Sequence, residues 1–215
     1  VITDPFVVTS GMIKHIIHPL ENARIAYEIF KDVVPDPPVE KIATGVKAML
    51  EFQPDCIVAV GGGSSMDTAK AIGIIITNPE FADVRSLEGV APTKNKCVPI
   101  IAVPTTAGTA AEVTINYVIT DVENNRKMVC VDVHDIPVVA VVDPDMMASM
   151  PKGLTAATGM EALTHAIEGY ITKGAWEMSD MFHIKAIEII ARSLRGAVEN
   201  TDEGREGMAL GQYIA

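Results

Sequence analysis

The chain has 215 residues, 48% of them hydrophobic and only 5% aromatic, with a formal net charge of -11. That length and composition suit one good core, or one core and part of a second, and exclude a disordered chain. The acidic balance repels phosphate backbones and anionic membrane surfaces at long range, so a small-molecule partner is expected, with no nucleic acid and no membrane.

In chain order, residues 1–3 read as the tail of a strand, 10–22 as a helix, 25–30 as a strand and 39–52 as an amphipathic helix. Residues 57–60 then read as a strand and 65–77 as a helix. Short strands alternating with helices, apolar on both faces, are the pattern of parallel βαβ crossovers. The next strand is expected at 98–103, an antiparallel hairpin at 116–120 and 127–131 around Glu123-Asn124-Asn125, and a return to the sheet at 138–142. Beyond Pro151 the apolar spacing turns helical, over 154–171, 177–198 and 203 onward, and no strand candidate remains. The expected class is α/β: a Rossmann-like, doubly wound, mostly parallel sheet over 1–151, followed by the first helices of an all-α metal-binding domain over 152–215. Neither end carries a stop signal, so both read as cut. No apolar run approaches the roughly 20 residues that span a bilayer, and no signal peptide is visible. Cys56, Cys97 and Cys130 lack paired ligand spacing and sit in or beside apolar runs, which predicts reduced, buried packing residues of a cytoplasmic protein.

The run Gly61-Gly62-Gly63-Ser64 lies between an expected strand and an expected helix. Such a junction brings bare N–H groups to a phosphate: glycines remove the Cβ atoms in the way, and the helix start adds partial positive charge. A nucleotide is the expected ligand, although the run matches neither GxGxxG nor the P-loop pattern and glycine clusters also make ordinary turns. Three prolines in Val34-Pro35-Asp36-Pro37-Pro38 stiffen the chain there, which either holds Asp36 at a site edge or leaves it solvated on a rigid connection. Glu161 and His165, at i and i+4, share a helix face and can offer a carboxylate and an imidazole to one divalent metal, or form a surface hydrogen-bonded pair. Glu168 is suited to orient the imidazole. His15, His18, His134 and His183 lack such spacing and read as surface or packing residues. Glu112 and Lys70 fall on expected helical faces near the glycines, where helix pairing is the expected role.

Four blocks together carry a family resemblance: Gly61-Gly-Gly-Ser-Ser-Met-Asp67-Thr-Ala-Lys70, Pro104-Thr-Thr-Ala-Gly-Thr-Ala-Ala-Glu112, Asp143-Pro144, and Ala157-Thr-Gly-Met-Glu-Ala-Leu-Thr-His-Ala-Ile-Glu168. The chain resembles the iron-containing (group III) alcohol dehydrogenase family over its whole length. The resemblance implies an NAD-dependent, metal-dependent oxidoreductase that interconverts a short-chain alcohol or diol with its aldehyde, of the lactaldehyde/1,2-propanediol type. A 1,3-propanediol or primary-alcohol branch, or a truncated NAD-binding or dimerising module without turnover, are the alternatives.

It further implies that Gly62, Gly63, Ser64 and Asp67 line the pyrophosphate turn of NAD, and that Asp4 accepts from the ribose hydroxyls and disfavours a 2′-phosphate. Thr105, Thr106 and Thr109 match a threonine-rich cofactor loop, Lys127 a lysine near the nicotinamide ribose, and Asn116 a position bordering the substrate. Asp36 stands where relatives carry Asn, so its cofactor contact would change character. For Fe2+, or Zn2+ in its place, His165 matches one ligand and Glu161 replaces an Asp. The family's two further histidines are not among these residues, so this chain alone cannot close a four-ligand site. A homodimer is implied for the full-length protein.

Overall fold

A computed structural model describes residues 1–215. Strand β1 is Ile2–Thr3, followed by helices α1 (Pro5–Thr9), α2 (Lys14–Asn22) and α3 (Val39–Phe52), then β2 (Ile57–Gly61) and α4 (Gly63–Thr77). Strands β3 (Gly89–Val90), β4 (Ile100–Pro104), β5 (Asn116–Asp121), β6 (Arg126–Val131) and β7 (Val139–Ala140) come next, and helices α5 (Lys152–Ile171), α6 (Glu177–Val198) and α7 (Asp202–Tyr213) complete the chain. Two compact units result: Val1–Val103 with Ala111–Val141, and Pro104–Ala110 with Val142–Ala215.

In the first unit one sheet runs in the order β1-β2-β4-β7 and a second in the order β3-β6-β5. β1 and β2 pair in parallel, with Thr3 opposite Val60, and β4 and β7 pair in parallel, with Ala102 opposite Ala140. Ile57, Ala59 and Val60 of β2 and Ile100, Ala102 and Val103 of β4 are buried, as strands covered on both faces must be. Helix α4 is apolar almost all round and correspondingly sunk: Met66, Ala69, Ala71, Ile72, Ile74 and Ile75 belong to the core. The hairpin forms where expected, with Asn116 opposite Val131 and Asp121 opposite Arg126. Asp121 closes it by accepting from Asn124 Nδ2 at 2.7 Å, with Arg85 Nε at 3.3 Å; the Asn124 amide and the Arg85 guanidinium hold this carboxyl below its usual range.

Several expectations need correction. Residues 25–30 do not form a strand: only Phe30 bridges Ile2, with Thr3 N donating to Phe30 O at 3.0 Å and Phe30 N to Val1 O at 2.8 Å. β1 is two residues long, so the start of this segment has no ladder to join, and Ile25 is exposed. The helix expected at 10–22 is shorter, covering only Lys14–Asn22 (α2), and a separate helix, α1, precedes it. Asp4 at the N-cap and Pro5 at the first helical position start α1 earlier than the apolar spacing suggested, and Ser10 ends it. Of 138–142 only Val139 and Ala140 pair, at the sheet edge. Cys130 is buried and Cys97 partly so, but Cys56 is exposed, because it sits in the turn before β2 rather than within the strand.

The second unit is helical. Ala162 and Ala166 of α5, Ala186, Ile190 and Ala197 of α6, and Met208 and Ala209 of α7 make its core, with Ala107 from the loop that follows β4. Small residues at the contacts let the helix backbones approach closely. The loop is tied to α7 by Ala110 N, which donates to the buried Gln212 Oε1 at 2.9 Å. No helix is long and apolar enough to cross a membrane.

Candidate functional site

β1 and β2 are adjacent parallel strands, and their carboxyl ends carry Asp4 and Gly61 side by side. Ligands of open parallel sheets bind beyond these ends. Gly61 has φ 143°, and a Cβ there would run into the Ser65 side chain and lie 3.0 Å from Asp4 Oδ2, so the turn is open only to glycine. Gly62 then caps α4 without any side-chain hydrogen bond, and Gly63 and Ser64 form the first turn. The first amides of a helix have no partner within it. Here Ser65 N and Met66 N turn back to Gly62 O at 3.0 and 3.3 Å, leaving the preceding amides at the partly exposed glycine end. The helix therefore begins two residues earlier than expected from the sequence, which puts Gly63 and Ser64 inside its first turn and Asp67 one turn further.

Asp4 uses Oδ1 to cap α1, accepting from Phe6 N at 2.8 Å and Val7 N at 3.0 Å. Oδ2 faces the glycine turn. Asp36 has φ 51°, a left-handed conformation that Asn and Asp tolerate better than most residues, and it accepts from Lys127 Nζ at 2.6 Å. The proline segment is docked on β5, with Thr120 N donating to Pro37 O at 2.9 Å, and Lys127 lies opposite Thr120 on β6. Two residues picked independently from the sequence are thus partners of one another, although both side chains are about 60% exposed, where an ion pair adds little stability. Asn116, the first residue of β5, is exposed.

Lys70 and Glu112 depart from expectation. Lys70 has no exposure at all: Nζ donates to Thr114 O at 2.5 Å and Asn116 O at 2.9 Å and faces Asp135 Oδ1 at 3.9 Å. Burial is the main influence on both charges, lowering the Lys70 amine and raising the Asp135 carboxyl to about 8, each countered by the other. Glu112 is buried in a turn, not on a helix face. Sequence reading missed Asp135 entirely; an Asp in a loop carries no spacing signal. The first unit also has an apolar groove of about 590 Å³, lined by Val1, Ile2, Phe30, Met49, Cys56 and Ile57 among others. It lies at the starts of β1 and β2, the opposite end from the glycine turn, and so is separate from this site.

In the second unit Thr105 is buried, and Thr106 and Thr109 are partly exposed, on the loop at Pro104–Ala110. A Cβ at Gly108 would fall 2.8 Å from Thr158 Cβ and 3.0 Å from Glu161 Oε2, so bare backbone is what lets this loop lie on α5 at Glu161. Glu161 is exposed and His165 half-buried on α5, with no hydrogen bond between them, so the surface-pair alternative is not formed. Carboxylate and imidazole at i and i+4 suit a divalent cation in kind, but no group of three or more His, Cys, Asp or Glu is arranged to hold one. The two supply part of a site and do not close it.

A parallel sheet with a glycine turn at its carboxyl edge, followed by a helical unit, defines an α/β protein with an open strand-to-helix turn. The sequence pattern described as "Iron-containing alcohol dehydrogenase" matches residues 1–144, and that described as "Fe-containing alcohol dehydrogenase family, C-terminal" matches residues 155–215. The chain belongs to the iron-containing alcohol dehydrogenase family. It is 57% identical over all 215 residues to a lactaldehyde reductase of Escherichia coli K12, covering 56% of that protein, and 41% identical to a 1,3-propanediol dehydrogenase of Klebsiella pneumoniae, over 97% of this chain and 54% of that one. Among solved structures, a 1,3-propanediol oxidoreductase superposes with TM-score 0.94 at 40% identity, over 99% of this chain and 56% of the other. A sulfoacetaldehyde reductase of Bifidobacterium kashiwanohense in complex with NAD+ superposes with TM-score 0.89 at 34% identity, with the same coverage. The chain thus spans about half the length of the curated relatives it matches.

Proposed function

We propose that this chain is part of an NAD-dependent, iron-type alcohol dehydrogenase that interconverts a short-chain alcohol or diol with its aldehyde, of the lactaldehyde/1,2-propanediol type. The observation that carries the reading is the uncapped, glycine-only turn from β2 into α4 with the Asp4 carboxylate beside it, in a chain 57% identical throughout to a lactaldehyde reductase. In this reading residues 1–151 hold the cofactor and residues 152–215 begin the metal domain. The amides of Gly62, Gly63 and Ser64 hold the diphosphate, supported by the dipole of α4, and Asp67 stands one turn behind them. Asp4 Oδ2 accepts from the adenosine ribose while Oδ1 remains on α1. Thr105, Thr106 and Thr109 line the cofactor, and Lys127 exchanges Asp36 for the nicotinamide ribose. Asn116 borders the substrate.

Glu161 and His165 would supply two ligands to iron and would need others to complete its coordination. An iron held there would supply Lewis acidity, lowering the proton affinity of the alcohol oxygen. Lys70 is committed to two backbone carbonyls and is not the proton relay. The full-length protein is proposed to be a cytoplasmic homodimer.

Calorimetry with NAD and NADP tests the cofactor half: NAD binds at least tenfold tighter, and Asp4→Ala narrows the gap. Equal binding of both, or of neither, would sink the reading. Turnover of 1,2-propanediol against 1,3-propanediol by the iron-loaded full-length protein separates the branches. The 41% identity to a 1,3-propanediol dehydrogenase keeps that branch as the second reading. NAD binding without turnover of either diol identifies a binding module.

A further inference from the structure

Lys70 lies on α4, two turns beyond the glycines, and its side chain is wholly buried, as is that of Asp135. A lysine at such a position normally reaches water, because its stem snorkels and its ammonium is costly to bury. This one points inward to the start of β5. Its Nζ takes Thr114 O at 2.5 Å, Asn116 O at 2.9 Å and, more weakly, Thr114 Oγ1 at 3.5 Å. The intervening Ile115 O accepts from Asp132 N at 2.9 Å, so three consecutive carbonyls before and at Asn116 are each held. Neither oxygen of Asp135 has a hydrogen-bond partner, although both are buried. It therefore faces Lys70 without a hydrogen bond and acts on it by charge once ionised.

An apolar residue in place of Lys70 would fill the same volume but strand both carbonyls. Three donors on one ammonium are what allow carbonyls two residues apart, brought together by the bend at Ile115 that leads into β5, to be gripped by a single side chain. Asn116 is the residue where this grip ends and where the side chain emerges to solvent. We propose that Lys70 is a positioning residue: it fixes the main chain at Thr114–Asn116, and through it the Asn116 side chain toward the alcohol, with the buried Asp135 carboxyl facing it. The proposal rests on the reading of Asn116 as a neighbour of the substrate. Other charges face the pair from α4 (Asp67), from the turn after the threonine-rich loop (Glu112) and from the segment after β6 (Asp132), with the Cys97 thiol beside them. Negative charge predominates, so the ammonium is the one cation among them and its loss unbalances the cluster.

The test uses the full-length, iron-loaded protein and two variants, Lys70→Met, which keeps the stem, and Asp135→Asn, which keeps the shape. Four quantities are read: Kd for NAD, KM for the alcohol, kcat, and hydrogen exchange of peptides covering residues 114–117. Lys70→Met is expected to raise KM for the alcohol at least tenfold while Kd for NAD stays within threefold, and to speed exchange at 114–117 at least tenfold with β2 peptides unchanged. Asp135→Asn is expected to shift the alkaline limb of the alcohol KM profile to lower pH, since the lysine then holds its proton less well. Unchanged alcohol KM in Lys70→Met with normal NAD binding overturns the positioning role alone, as does an unmoved alkaline limb in Asp135→Asn. Absence of NAD binding by the unaltered protein instead removes the functional reading beneath it, and is distinguishable because exchange at 114–117 still reports the grip.

Discussion

Replacing Gly61 by alanine probes the turn on which the nucleotide reading depends. At φ 143° an L residue is strained, which costs about 1–3 kcal/mol. The new methyl also meets the Ser65 side chain, with Ser65 Cβ at 2.8 Å and Asp4 Oδ2 at 3.0 Å. Such overpacking costs about 1–3 kcal/mol, at the lower end where a hydroxyl can rotate away. The total is about 3 kcal/mol, a large share of the ~5–15 kcal/mol by which domains are stable. With a urea m-value of about 1–3 kcal/mol/M, the midpoint falls by roughly 1–3 M. The only tryptophan, Trp176, lies in the second unit, so far-UV circular dichroism and hydrogen exchange of β2 and α4 peptides are the reporters rather than fluorescence. Ser65→Gly in the same background separates the two causes: it removes the collision and leaves the strained φ, so the double variant recovers about 1–2 kcal/mol in a double-mutant cycle. A Gly61→Ala protein that unfolds at the same urea concentration and binds NAD with the same affinity refutes the glycine-only turn.

Three further outcomes follow from other residues. Asp135 keeps its proton to about pH 8 when folded and gives it up near 3.8 when unfolded, so the folded state binds more protons in that window and stability falls as pH rises through it. The slope from this one group is at most about 1.4 kcal/mol per pH unit, the Lys70 amine, lowered by burial, acts with the opposite sign, and the difference between Asp135→Asn and the unaltered protein reports the acid together with its effect on Lys70. Of the three thiols only the exposed Cys56 reacts with a disulfide reagent in the folded protein, burial having raised the Cys130 thiol to about 12 and the Cys97 thiol further; all three react after unfolding, and a count of two or more when folded contradicts the packing. Glu161→Asp in the full-length protein shortens the carboxylate arm by one methylene, more than the ~0.2 Å within which ligand distances are held, and raises iron occupancy measured by metal analysis; equal occupancy means that α5 accommodates the longer arm.

Much of this was legible before any coordinate. The hairpin at 116–131, the sunken helix after the glycines and the three helices beyond Pro151 each have an unambiguous period or turn signal, because burial of one face or both imposes it residue by residue. The same local chemistry marks the glycine turn and the Glu161–His165 pair. The segment at 25–30 misled because β-branched composition says a residue can join a ladder, while only a partner strand of sufficient length decides that it does.

Sequence by itself therefore determined the family, the alternation of elements and the glycine-bearing junction, since each depends on neighbours a few positions away. Tertiary structure alone decided that Asp4 stands beside Gly61, that Asp36 meets Lys127 across 91 positions, and that Lys70 is buried on two backbone carbonyls facing Asp135. Those pairings come from strand order and from which side chains are denied water, and neither quantity is written in the spacing of a linear chain.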